Sequence, residues 1–151
     1  MNKAFRPVVV IGLAVVAMVA LSLLRQKPDT TPDTVPWRTN LEAAREEAGR
    51  TGKPVLAYFT ASWCGPCRQM KAKTWPDKNV EAALGAYVPV KVDVDAASDV
   101  ARQYSVSSIP TMMILRADGT AAETRVGFVG PDEMVGWLAK GAQAGASARA
   151  D

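Results

Sequence analysis

Two cysteines stand three positions apart in the stretch YFTASWCGPCRQMK, and the chain of 151 residues has no others. Such a pair can carry thiol–disulfide exchange, which needs one thiolate that attacks and a second thiol that releases the trapped partner. If a helix begins inside the pair, the first sulfur lies at its positive end and the second lies about one turn further on, less exposed. We therefore predict Cys64 as the nucleophile, partly shielded by Trp63, and Cys67 as the resolving thiol.

The composition argues against other uses of the pair. The chain has no histidine, which removes Ser-His and Cys-His catalysis and histidine metal ligands. Two cysteines cannot complete a four-ligand zinc site, so a metal would require a dimer. A purely structural disulfide that closes so short a loop gains little from loop-closure entropy. We expect no metal, and no cofactor beyond a redox-active disulfide between Cys64 and Cys67.

Charge gives little indication of a partner. Residues 37–141 hold 13 basic and 12 acidic side chains, so we expect no nucleic-acid partner. A cluster of basic side chains follows the cysteines and is either a solvated helix face or a positive rim that attracts acidic partners. Its members are Arg68, Lys71, Lys73 and Lys78.

The N-terminal part of the chain predicts a membrane segment. Residues 7–24 contain no charge and lie between Arg6 and Arg25, a run long enough to cross a bilayer core. We interpret residues 1–25 as an uncleaved transmembrane anchor, with a cleaved signal sequence and a buried helix of a soluble fold as alternatives. Basic residues on the short side favour weakly a cytoplasmic N-terminus, with the rest of the chain outside the cytoplasm.

The remaining chain divides into three parts. Residues 26–36, QKPDTTPDTVP, indicate an extended solvated linker, residues 37–141 a folded domain, and residues 142–151 a flexible tail. Within the domain the pattern predicts helix, strand, helix, helix, strand, helix, strand, strand, helix. That order is typical of an α/β fold with a central mixed sheet and helices on both faces.

Local signals place several of these elements. Asn40 can cap one helix and either Asp77 or Asn79 another, Pro131 suits the first turn of the last helix, and Gly141 can end that helix. The turn at residues 117–120 predicts a hairpin between the last two strands.

The sequence WCGPC, with Trp63, Gly65 and Pro66 around the cysteines, is identical to the active-site motif of thioredoxins. The resemblance extends from about residue 35 to residue 140 and implies a thioredoxin-like fold. It includes SIPT, in which Pro110 matches the family's cis-proline beside the active site. By this resemblance Ile109, Pro110 and Thr111 bind an extended substrate segment.

A closer likeness is carried by GKPVLAYFTASWC, TWPDKNVEAAL and RVGFVGPDEM. These segments resemble the C-terminal periplasmic domain of the transmembrane thiol–disulfide interchange reductase, and anchored thioredoxin-like proteins of bacteria. The likeness implies a protein-disulfide reductase in the bacterial inner membrane, single-pass, with its domain in the periplasm. Its substrates would be exported proteins or apocytochromes, and a membrane thiol reductase would supply electrons. A disulfide oxidase or isomerase, and a redox-independent chaperone or binding module, are the alternatives.

Two residues near the dithiol depart from the pattern of these families. Tyr58 occupies the position of a buried aspartate that helps to move the proton of the resolving thiol, and Lys71 replaces an acid of the reductase domain. Lys91, which matches a family lysine, thereby loses its usual carboxylate partner. Because nearby cations favour a thiolate, we expect a couple more oxidising than thioredoxin at about −270 mV. A phenol, with a reference pKa of about 10, is a poor proton acceptor near neutral pH. We therefore also expect slow deprotonation of Cys67 and slow release of the mixed disulfide.

Overall fold

The computed structural model describes residues 5–24 and 33–146, which belong to two units. The first unit holds helix α1 (Phe5–Leu24), whose side chains from 11 to 21 are all exposed. Among the described residues, no helix combines the length and the apolar character needed to cross a membrane. The ends of the predicted anchor, at 1–4 and 25, and most of the predicted linker, at 26–32, lie outside the described residues.

The second unit follows the predicted order of helices and strands, and it has the predicted α/β fold with a mixed sheet. Its elements are α2 (Leu41–Thr51), β1 (Val55–Thr60), α3 (Gly65–Lys73), α4 (Lys78–Leu84), β2 (Val88–Asp93), α5 (Ser98–Gln103), β3 (Thr111–Leu115), β4 (Ala121–Val126) and α6 (Pro131–Ala146).

The sheet has the strand order β2-β1-β3-β4, with β1 and β2 parallel and the other pairs antiparallel. Successive strand residues face opposite sides, so β1 sends Leu56 and Tyr58 to one side and Ala57 to the other. The first side packs against α3, α4 and α6 and includes both cysteines, and the second packs against α2 and α5. We call the first side the dithiol face.

Side-chain caps explain why two helices begin where the sequence predicts. The Asn40 side chain accepts a hydrogen bond from the Ala43 N–H at 2.9 Å, at the start of α2. Asp77 Oδ1 accepts from the N–H groups of Asn79 and Val80, at the start of α4. Each cap satisfies N–H groups that have no partner inside the helix.

The last helix is longer than predicted. Helix α6 does not end at Gly141 but continues to Ala146, so residues 142–146 of the predicted flexible tail are helical. Gly141 is buried, and a Cβ added there would overlap Ile114. The glycine is needed for close packing of the helix on the sheet rather than for ending the helix.

Residues 33–38, which we call the leading segment, are docked on the second unit. Val35 is 4% exposed in the cluster that holds the cysteines, and Thr34 Oγ1 donates to the Trp75 carbonyl at 3.2 Å. The Arg38 N–H donates to the Pro89 carbonyl, and the Arg38 carbonyl accepts from the Lys91 N–H, both at 2.9 Å. In the described part of the predicted linker, Val35 is therefore buried in the core, whereas Asp33, Thr34 and Pro36 are exposed.

Candidate active site

The cysteine pair lies at the junction between β1 and α3. Cys64 is the N-cap residue of α3, and Cys67 lies in the first turn of that helix. The two are joined in a disulfide, with Cα atoms 5.2 Å apart. Cys64 Sγ accepts a hydrogen bond from the Cys67 N–H at 3.2 Å. Since free N–H groups at a helix start stabilise an anion, Cys64 has the position that favours a thiolate.

Exposure does not separate the two sulfurs in the way the sequence predicts. Cys64 and Cys67 are each 3% exposed, because the disulfide places both residues in the buried cluster of the dithiol face. Pro66 is exposed and Gly65 is half-buried. The assignment of Cys64 as the nucleophile therefore rests on its N-cap position and not on greater access.

Trp63 is held in place beside the disulfide. Its side chain is 63% exposed, and its indole N–H donates to Asp95 Oδ2 at 2.8 Å. Sequence reasoning missed Asp95. The available signal was topological, because β1 and β2 are parallel neighbours and their carboxyl ends, Thr60 and Asp93, lie side by side. A polar residue just after β2 can therefore reach the motif just after β1.

The proline loop lies at the same end of the sheet. The Ile109–Pro110 peptide bond is cis, Pro110 is buried, and Ile109 packs against the cluster that holds the cysteines. Thr111 begins β3 and pairs with Phe59 near the end of β1, which leads into the motif. The proposed contact of residues 109–111 with substrate stays a prediction.

Exposed apolar side chains mark this end of the second unit. Among the described residues from 33 onward, the large apolar side chains that are exposed are Trp63, Val126 and Phe128. Val126 pairs with Thr111, and the N–H of the next residue, Gly127, donates to the Pro110 carbonyl at 2.7 Å. We call Trp63, Val126 and Phe128 the apolar rim. Sequence reasoning did not identify Val126 or Phe128, because a strand pattern does not show which side stays uncovered.

Tyr58 lies beneath the dithiol in an aromatic cluster. Its ring centroid is 5.5 Å from that of Trp37 and 5.0 Å from that of Trp75. The hydroxyl makes a long contact of 3.4 Å with the Cys67 carbonyl. Burial raises the pKa of Tyr58, and the Asp33 charge raises it to a smaller degree. The phenol therefore stays protonated at neutral pH and is not a base for the Cys67 thiol.

Lys91 has no carboxylate at position 58, where Tyr58 stands, but it pairs with a different carboxylate. Its Nζ forms an ion pair with Asp33 Oδ2, and the two side chains are 32% and 31% exposed. Sequence reasoning did not identify this partner, because Asp33 belongs to residues that the sequence indicates as a solvated linker. Within the described residues, no group of three or more histidine, cysteine or acidic side chains could hold a metal ion.

Comparison with known proteins gives a consistent result. The family described as "Thioredoxin-like domain" matches residues 41–142. The chain is 38% identical over 89 residues to the TPR repeat-containing thioredoxin TDX of Arabidopsis thaliana, covering 59% of this chain and 22% of that protein. It is 39% identical over 90 residues to a thioredoxin of Chlamydia trachomatis, covering 57% and 80%. The oxidised C-terminal domain of DsbD from Neisseria meningitidis superimposes with a TM-score of 0.59 at 27% identity, covering 66% and 90%.

Proposed function

We propose that this chain, which belongs to the thioredoxin-like domain family and is a disulfide oxidoreductase, reduces disulfides of proteins outside the cytoplasm. The observation that carries the proposal is the position of Cys64, whose sulfur caps α3 and accepts the Cys67 N–H. The apolar rim beside it offers a surface on which an unfolded or extended protein segment can bind.

The exchange proceeds in two displacements. In the reduced protein the Cys64 thiolate attacks one sulfur of a substrate disulfide, and the first substrate sulfur leaves and takes up a proton. Cys67 then loses its thiol proton and attacks Cys64, and the second substrate sulfur leaves and is protonated. The substrate has gained two electrons and two protons, and the chain ends with the Cys64–Cys67 disulfide. A membrane dithiol reductase would return the two electrons and two protons.

The location is the part of the proposal that rests on the sequence pattern. The uncharged run at residues 7–24 supports an anchor or an export signal, and the described side chains of α1 are exposed. Exposed apolar surface of this kind is stabilised by a non-aqueous surrounding. Substrates in that compartment would be exported proteins or apocytochromes with a disulfide to be reduced.

Trapping of partners tests exchange, direction and compartment together. A full-length Cys67→Ala variant, expressed in its native cell, should accumulate mixed disulfides on Cys64, and a variant that also carries Cys64→Ala should accumulate none. We expect exported proteins in these complexes, and a resting wild-type dithiol that is reduced in the cell. An absence of complexes would refute exchange, whereas purely cytoplasmic partners would refute the location. A resting disulfide would favour the oxidase or isomerase alternative.

A further inference from the structure

The dithiol face has a carboxylate that the cysteine motif does not supply. The position six residues before Cys64 holds Tyr58, which carries no charge at neutral pH. Asp33, from the leading segment, instead forms an ion pair with Lys91 on β2. The question is whether this pair is a surface contact or part of the redox site.

The strand register places Lys91 on the dithiol face. Lys91 pairs directly with Tyr58 across the parallel strands β2 and β1, and residues opposite each other share a side of the sheet. Its neighbours Val90 and Val92 belong to the cluster on the other side. Lys91 therefore lies on the same side of the sheet as Tyr58, whose hydroxyl is 3.4 Å from the Cys67 carbonyl.

The leading segment holds Asp33 in this position. Val35 is buried in the same cluster as the cysteines, and the Thr34 hydroxyl donates to the Trp75 carbonyl. At the other end of the segment, the Arg38 guanidinium forms two hydrogen bonds with the Glu47 carboxylate, at 2.5 and 2.9 Å. These contacts fix the residues that follow Asp33, which reduces the conformational entropy that an isolated surface pair loses.

We propose that Asp33 is a positioning residue for the redox couple, which acts by neutralising the charge of Lys91. Reduction of the Cys64–Cys67 disulfide takes up two electrons and up to two protons, and fewer protons are taken up when one thiol ionises. An unpaired cation on the dithiol face favours that thiolate. A favoured thiolate stabilises the reduced protein and raises its reduction potential. Asp33 opposes this effect and keeps the couple reducing.

Charge substitutions give effects of opposite sign. Asp33→Asn leaves Lys91 without its partner, so the equilibrium with glutathione should shift toward the reduced dithiol by about threefold or more, which is about 14 mV. Lys91→Met should shift the equilibrium in the other direction. The double variant should return to within about twofold of the wild type, since both charges are gone, and Asp33→Glu should restore the wild-type value.

Redox titration of the full chain against glutathione at neutral pH, read by alkylation of free thiols, measures these shifts. Glu46→Gln is the matched control, because Glu46 is an exposed carboxylate on α2, which packs on the opposite side of the sheet. Equal potentials for Asp33→Asn and Glu46→Gln would overturn the proposal. So would shifts of the same sign in Asp33→Asn and Lys91→Met, because that result would indicate lost packing rather than lost charge.

This inference rests on the proposed exchange only through the disulfide itself. Insulin reduction by the wild type, with dithiothreitol as the electron source, tests the reductase function separately from the role of Asp33. A wild type that fails to reduce insulin would refute the proposed reductase function, whereas the potentials of the variants would still decide the role of Asp33.

Discussion

Tyr58 contributes to the site by packing rather than by proton transfer. Its ring packs against the indoles of Trp37 and Trp75, which also contact each other, and the raised pKa of the phenol keeps it neutral. A neutral group cannot take the proton of Cys67 at physiological pH. Tyr58 therefore acts as part of the hydrophobic support of the disulfide.

Tyr58→Phe should accordingly have a small effect. Because the wild-type hydroxyl makes only a long contact with the Cys67 carbonyl, we expect its removal to lower the unfolding free energy by less than about 1 kcal/mol. The pH profile of insulin reduction should not move. Tyr87→Phe is the matched control, since the Tyr87 hydroxyl donates to the Leu138 carbonyl at 2.5 Å and its loss should cost about 1 to 2 kcal/mol. Urea unfolding and the pH–rate profile measure both variants. A displaced profile in Tyr58→Phe would show that the phenol takes part in proton transfer.

At the scale of the elements, three chain segments meet at one end of the sheet. The start of α3 carries the disulfide, the loop before β3 carries Pro110, and the segment after β4 carries Gly127, whose N–H bonds to the Pro110 carbonyl. Gly127 has a φ of 91°, in the region that disfavours side chains. A Cβ there would meet no atom within 4 Å, so only backbone conformation requires glycine.

Gly127→Ala should therefore destabilise the protein by about 1 to 2 kcal/mol through backbone strain alone. Gly130→Ala is the comparison, because that position is equally open and its φ lies outside the left-handed region. It should be neutral or stabilise by up to about 1 kcal/mol. Urea denaturation of the oxidised proteins measures both. Equal stabilities for the two variants would mean that the conformation of Gly127 contributes little.

The elements were predictable because their signals are local. Asn40 and Asp77 cap the helices they precede, and the apolar runs give the strands of the sheet. The failures are non-local. Burial of Val35 and pairing of Asp33 with Lys91 depend on a surface that forms only after the sheet is assembled. Gly141 was misinterpreted for the same reason, since close packing against Ile114 has no signature within the helix.

At the scale of the whole molecule, ionisation of the tyrosines lowers the stability of the protein at high pH. The chain has three, and burial raises the pKa of each of them, Tyr58, Tyr87 and Tyr104, above the reference of 10.0. The unfolded chain therefore releases these protons at a lower pH than the folded chain. Below pH 10 the tyrosines are protonated in both states and the full stability is present. Above pH 10 the tyrosines of the unfolded chain ionise, which lowers the free energy of the unfolded state relative to the folded state.

We expect the unfolding free energy of the oxidised protein to fall above pH 10. The slope is at most about 1.4 kcal/mol per pH unit for each tyrosine that stays protonated only in the folded state. Half-buried Tyr104 should contribute less than Tyr58 and Tyr87. Urea unfolding from about pH 8 to about pH 11 measures the slope, which should be shallower in Tyr58→Phe and Tyr87→Phe. Slopes equal to that of the wild type would assign the alkaline loss to other groups.

The docked leading segment has a consequence for transplanting this domain. The family match begins at residue 41, whereas Asp33, Thr34, Val35 and Arg38 all precede it. A graft of the matched region onto another carrier would transfer the disulfide, the proline loop and the apolar rim. It would leave behind the counter-charge of Lys91 and the valine that is buried in the same cluster as the cysteines. Two proteins that are identical over the matched region could then differ in redox behaviour because of the few residues that lead into it.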